Sequence, residues 1–255
     1  MEKCVRTVTV DSYDTDFRAE IKPHCLQNHL QEMAYLGSAM LGVGFDTLSP
    51  MNLFWAIIRL HIRIDRMPKW GDEITLSTWH RKQSGPLYTR NFTVTSGDGG
   101  MMVRASTVWT IMNIETRGVD RHLALVKESQ AIVEDVFDTE CGKINPPSTV
   151  NMELKGTHRI CYSDIDVNRH ANNAMYLSWV FDLFGMDFMS CHRIQDIQVQ
   201  YAHEIHADDV VSLYMGSDEN GIWYVQGRVG GTSCFSARLE FCKVQADMYQ
   251  HSGSV

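Results

Sequence analysis

The chain of 255 residues is long enough for one large domain or two small ones, and its 44% hydrophobic content excludes a disordered chain. A formal charge of −8 makes nucleic acid a poor partner, and the longest apolar stretch, Asn52–Ile58, is far too short to cross a bilayer. The odd count of seven cysteines, none in a C-x-x-C pair, removes the usual support for zinc-ribbon and redox motifs and fits reduced thiols in a cytoplasmic protein.

Met1–Phe17 holds neither an apolar core of signal-peptide length nor Arg/Ser-rich transit character. Between Leu26 and Val43, Leu30, Met33, Ala34, Gly37, Met40 and Leu41 recur at spacings of three and four. That period predicts a helix, with Gly44 near its stop. From Trp55 to Pro68 the period changes. Ile58, Leu60, Ile62 and Ile64 alternate with Arg59, His61, Arg63 and Asp65, a strand with one buried face. Gly71–Arg81, Tyr88–Ser96 and Met101–Asn113 read as further strands, and Ser96–Gly100 (S-G-D-G-G) as a hairpin turn.

The order then repeats. Asn173–Met189 is helix-like. Arg193–Glu204 is a strand with Ile197, Val199 and Tyr201 on one face, and Asp208–Gly216, Ile222–Gly230 and Thr232–Val244 are three more. A unit written twice, each a long helix followed by about four antiparallel strands, predicts an α+β fold in which a curved sheet wraps each helix. The first unit spans residues 1–140 and ends in a short trailing helix. Residues 141–150 form a Gly/Pro/Ser-rich linker, 151–248 the second unit and 249–255 a frayed tail. Setting Tyr35-Leu36 on Tyr176-Leu177 places Cys25, Gln27 and His29 opposite Asp166, Asn168 and His170.

Those last three residues carry the candidate chemistry. On an extended approach to the second helix they share one side. Asp and Asn are also ordinary caps and turn formers. A cap needs one such residue, however, and here an acid, an amide and an imidazole precede the helix together. A helix start adds backbone N–H donors for an oxyanion. Glu204 offers a second carboxylate, or an exposed strand residue. The pattern suits attack of water on an ester or thioester, with His170 or a carboxylate as base. No G-x-S-x-G elbow, P-loop, G-x-G-x-x-G or H-E-x-x-H occurs; His203–His206 reads H-E-I-H. The pattern calls for no metal or cofactor.

Trp55–Trp79, Ala105–Arg117, the D-x-N-x-H-x-N-N segment from Asp166 and V-Q-Y-A-H-E at Val199–Glu204 together resemble the acyl-acyl carrier protein thioesterases of plants and bacteria, over nearly the whole chain. The resemblance implies a tandem double hot-dog fold. It implies hydrolysis of a fatty acyl thioester on the phosphopantetheine arm of an acyl carrier protein, with catalytic residues at Asp166, Asn168, His170 and Glu204. Plant members carry a cysteine directly after that glutamate; Ile205 stands here, which favours water as the nucleophile. Plant members also begin with a plastid transit peptide, so Met1–Phe17 favours a bacterial source or a trimmed chain. The family's acyl chain lies in the first repeat, where Met33, Gly37, Met40, Trp55 and Arg59 are the expected substrate-binding residues, or ordinary core. Arg59, Arg63, Arg66, Lys69, Arg81 and Lys82 form the densest basic region, a carrier-docking face or a solvated strand face. A homodimer is compatible with these expectations; stable membrane insertion is not. The rivals are an acyl-CoA thioesterase of the same fold and a non-catalytic acyl-ligand-binding hot-dog protein.

Overall fold

The computed structural model describes residues 2–81, 83–121, 126, 130–139 and 142–244. Ten strands form one antiparallel sheet in the order β1-β3-β4-β5-β2-β7-β10-β9-β8-β6. The first half contributes β1 (Cys4–Thr9), β2 (Leu53–Ile64), β3 (Glu73–His80), β4 (Tyr88–Ser96) and β5 (Met101–Asn113). The second contributes β6 (Glu153–Arg159), β7 (His192–Tyr201), β8 (Val210–Ser217), β9 (Trp223–Val229) and β10 (Thr232–Lys243). The halves meet where β2 pairs with β7, Leu60 opposite Val199 and Ile62 opposite Ile197. Each half has one strand more than expected, because β1 and β6 precede the helices as the two sheet edges. Their mostly exposed residues carry little of the alternation that reveals a strand.

The first helix, α1 (Pro23–Met40), starts with Pro at its first position and buries Leu26, Leu30, Met33, Ala34 and Gly37. Full burial of a Leu or Met side chain contributes about 1.5–3 kcal/mol. The stop is at Gly42, not Gly44. Gly42 takes the left-handed conformation (φ 72°), and Val43 N–H bonds back to Ser38 O at 3.0 Å, a Schellman closure. A four-residue helix, α2 (Phe45–Leu48), follows. The second helical run is broken in two: α3 (Met175–Phe181) and α4 (Met186–Cys191). Gly185, extended at ψ 158°, starts α4 afresh, so Phe184 and Phe188 fold back onto Phe241. In β2 a bulge between Ile57 and Arg59 turns Ile57, rather than Ile58, into the core.

The repeat is real but its register differs from the expected one. Asp16 N–H bonds Glu20 O as Asp166 N–H bonds His170 O; Lys22 N–H bonds Asp14 O as Asn172 N–H bonds Asp164 O. Ile21 N–H reaches Pro68 O as Ala171 N–H reaches Ile205 O. Left-handed Ala19 (φ 58°) and Arg169 (φ 64°) occupy the same place in the two loops. The counterparts of Asp166, Asn168 and His170 are therefore Asp16, Arg18 and Glu20, not Cys25, Gln27 and His29. Met67 stands where Glu204 does.

At Gly227 a Cβ would fall inside the ring of its cross-strand partner Phe235. Gly227→Ala is expected to cost about 1–3 kcal/mol, read as a lower Tm in thermal unfolding. An unchanged Tm would show that the β9–β10 pair can yield. The short helix expected around His122 and the tail 249–255 fall largely or wholly outside the described residues.

Candidate active site

The site grows from the loop between β6 and α3. Asp164 anchors it. Its carboxylate accepts Cys161 N–H at 2.8 Å, His158 Nε2 at 2.9 Å and Trp179 Nε1 at 3.1 Å. Burial pushes this carboxyl up, but those donors outweigh it and hold it below its ordinary range. The segment beyond is a tight turn rather than an extended approach. Asp166 Oδ1 accepts Asn168 N–H at 2.8 Å, and Arg169 N–H bonds Asp166 O at 3.0 Å. The left-handed Arg169 brings Asn168 and His170 onto one cavity. Asp166 also receives the Asn168 amide at 3.4 Å.

Several backbone N–H groups at the helix start are already engaged. The N–H groups of Asp166, Asn168, Arg169, Ala171, Asn172, Ala174 and Met175 are all engaged within the loop or with Ile205. Asn172, outside the predicted trio, holds Ala174 N–H at 3.0 Å at the entry to α3. Asn168 adds a side-chain donor on the same cavity as His170.

Glu204 lies past the end of β7, in a loop, not in the strand. Its Oε2 is 3.5 Å from His170 Nε2, and its Oε1 accepts Arg117 Nη1 at 3.1 Å. Arg117 is the residue sequence reasoning missed. Asn113 Oδ1 gathers the N–H groups of Glu115 (3.0 Å) and Thr116 (2.9 Å) after β5, and Arg117 turns left-handed at φ 54°. This carries its guanidinium out of the first half, over the Phe54 ring at 5.3 Å, to His170 Nε2 at 3.1 Å. A guanidinium only donates, so His170 Nε2 must be the unprotonated, accepting nitrogen. Burial lowers the His170 pKa first; Arg117 and His206 push it the same way, while Glu204 opposes them. The motif Ala105–Arg117 was visible in the sequence, but nothing local told that its last residue crosses between halves.

These groups line a cavity of about 370 Å³ whose opposite wall is Phe54, Trp55, Ile57 and Met112 of the first half. Phe54, Trp55 and Asn168 also line an adjoining, mostly apolar cavity of about 220 Å³ under α1, bounded by Ala34, Tyr35, Ser38, Leu48, Tyr88 and Trp109. Of the expected acyl-contacting residues, Trp55 is on both walls. Met33 is buried in the main core, and Gly37 and Met40 lie on another side of α1, beside a small separate cleft. Arg59 lines neither cavity, because the bulge at Ile57–Arg59 rotates it away. Arg63 pairs with Asp196 at 3.4 Å and Arg81 with Asp135 at 2.5 Å. Arg66 and Lys69 line the first half's counterpart cavity, of about 460 Å³, and Lys82 lies outside the described residues. In that counterpart Glu20 is held by Arg18 at 3.1 Å and by Arg193 of the second half at 3.0 Å.

Two family models match: the acyl-ACP thioesterase N-terminal domain over residues 2–128 and the acyl-ACP thioesterase C-terminal domain over 149–238. The chain belongs to the acyl-ACP thioesterase family. Among curated members of that family, a chloroplastic palmitoyl-acyl carrier protein thioesterase of Gossypium hirsutum is 28% identical over 228 residues, 83% of this chain and 54% of that protein. A chloroplastic dodecanoyl-[acyl-carrier-protein] hydrolase of Umbellularia californica is 26% identical over 96% of this chain and 69% of its own. The chain thus spans about half the length of the first of these relatives, 54%. Among solved structures, an acyl-ACP thioesterase of Bacteroides thetaiotaomicron superposes with TM-score 0.82 at 25% identity, covering 93% of this chain and 96% of that one. The 12:0-ACP thioesterase of Umbellularia californica gives TM-score 0.79 at 23% identity over 94% and 97%. The acyl-ACP thioesterase fold, a double hot-dog of α+β class, is the architecture of this chain. No described helix is long and apolar enough to cross a membrane.

Proposed function

We propose that the chain hydrolyses the thioester joining a fatty acyl chain to the phosphopantetheine arm of an acyl carrier protein, releasing free fatty acid and the carrier thiol. The observation that carries this reading is the union of one accepting imidazole nitrogen, His170 Nε2, with a second, apolar cavity reached past Asn168. The first repeat (1–140) then supplies the acyl cavity, and the second (151–248) most of the chemistry. A free thiol state for the six described cysteines is compatible with a cytoplasmic setting.

In this mechanism Arg117 Nη2 releases His170 Nε2, which then takes a proton from water as the oxygen attacks the thioester carbonyl. The C–S bond is still whole at that point, and the carbonyl oxygen carries the negative charge. The Asn168 amide and the Arg117 guanidinium donate to that oxygen. As the intermediate collapses, the C–S bond breaks and the imidazolium returns its proton to the thiolate. Glu204, beside the ring, stabilises the imidazolium; Asp166 positions Asn168 through its turn.

The test is hydrolysis across a series of acyl-carrier thioesters from short to long chains, with the matching acyl-CoA series alongside. Preference for the carrier-bound series supports the reading; turnover of CoA esters alone would replace it. Ala34 is buried on the acyl cavity wall. Ala34→Phe fills that cavity and is expected to shift the chain-length profile toward shorter acyl groups. An unshifted profile would place the acyl chain elsewhere.

A further inference from the structure

The H-E-I-H stretch brings a second imidazole to the site that water chemistry does not use. His206 follows Glu204 by two residues, and its ring meets His170 edge-on at 4.9 Å between centroids. One ligand atom from each of His170, Glu204 and His206 lies within 4.8 Å of the others. A tetrahedral ion with bonds of about 2.0–2.1 Å needs its ligand atoms about 3.3–3.4 Å apart. The His170–Glu204 edge, 3.5 Å, already has nearly that length. Closing the edges to His206 takes a shift of about 1.4 Å at most, within reach of an exposed side chain on a loop.

We propose that His170, Glu204 and His206 form a three-ligand site for a divalent transition-metal ion of the zinc class, and that its occupation arrests hydrolysis by taking the lone pair of His170. Two imidazoles and a carboxylate with a fourth position open to water are a donor set that zinc accepts, whereas magnesium and calcium take oxygen ligands. Arg117 is the competitor. Its Nη2 holds the same His170 nitrogen, while its Nη1 holds Glu204 Oε1 and leaves Oε2 turned toward the imidazole. The ion and the guanidinium are alternative partners of one imidazole, and the carboxylate can keep both by using its two oxygens. The inhibitory half of this proposal rests on the hydrolytic reading above; the binding half does not.

The experiment titrates zinc into the chelator-treated full chain by calorimetry, and in parallel into the hydrolysis assay. The expected result is a His206-dependent binding step whose saturation lowers turnover roughly tenfold or more and is reversed by chelator; His206→Gln weakens that step roughly tenfold or more and keeps most of the turnover in zinc-free buffer. Magnesium neither binds there nor inhibits. Zinc that leaves or raises turnover overturns the inhibition, and equal binding by the wild-type chain and His206→Gln overturns the site. A chain that binds zinc through His206 but cleaves no thioester would instead remove the hydrolytic reading and leave the metal site standing.

Discussion

Replacing His170 by glutamine is expected to lower kcat on an acyl-carrier thioester by about 10²–10⁴-fold, the usual share of a positioned general base. Glutamine can fill much of the same volume, and the backbone carbonyl that receives Asp166 N–H is retained. Circular dichroism and Tm should therefore stay close to wild type while turnover collapses. The wild-type chain should also show an acid limb in kcat/KM, because only the unprotonated imidazole can accept the proton from water. Burial, Arg117 and His206 together hold His170 below its ordinary 6.5. Activity should rise as His170 loses its proton, with the midpoint below that value. Wild-type turnover in His170→Gln would remove His170 as the base.

Arg117→Gln is expected to act on both rate and pH profile. Losing one oxyanion donor costs about 10²–10³ in kcat. The same substitution removes a positive charge 3.1 Å from the imidazole and leaves Glu204, which favours the protonated ring, beside it. The His170 pKa should rise, and the acid limb should move to higher pH. Arg117→Lys separates the two effects, since it keeps the charge and loses the fork. It should restore the position of the limb more fully than the rate. A purely architectural Arg117 would lower Tm in both variants and leave the limb where it was.

Much of the frame was legible because strand and helix periods are local. The alternation through Leu60, Ile62 and Ile64, the hairpin at Ser96–Gly100 and the stripe on α1 all read directly. The trio Asp166, Asn168 and His170 was legible as a polar cluster, since three different polar groups outnumber a single cap, and all three line one cavity. The register was not. Matching the Tyr-Leu pairs in the two helices aligned residues that resemble each other, whereas the loops before them share a hydrogen-bond pattern with different side chains: Arg18 against Asn168, Glu20 against His170. Backbone geometry survives where side-chain identity is lost, and single-sequence comparison sees only identity. Arg117 was hidden for another reason. Its role depends on β2 lying against β7, a pairing between residues well over a hundred positions apart in the chain. The cavity walls followed the same rule: the bulge at Ile57–Arg59 decided which side chains face inward, and periodicity cannot announce a skipped step.

The first half's version of the loop has one more consequence. Arg18 and Arg193 close on Glu20 from opposite halves, and Arg18 also donates to Met189 O. The position to which the proposed mechanism gives the substrate in one copy has in the other become a rivet. A pair of separate identical chains could not do this, because any change would strike both sites at once. Joined in one chain, the copies are free to diverge: one can keep the proposed reaction, while the other spends the same loop on fastening the two together.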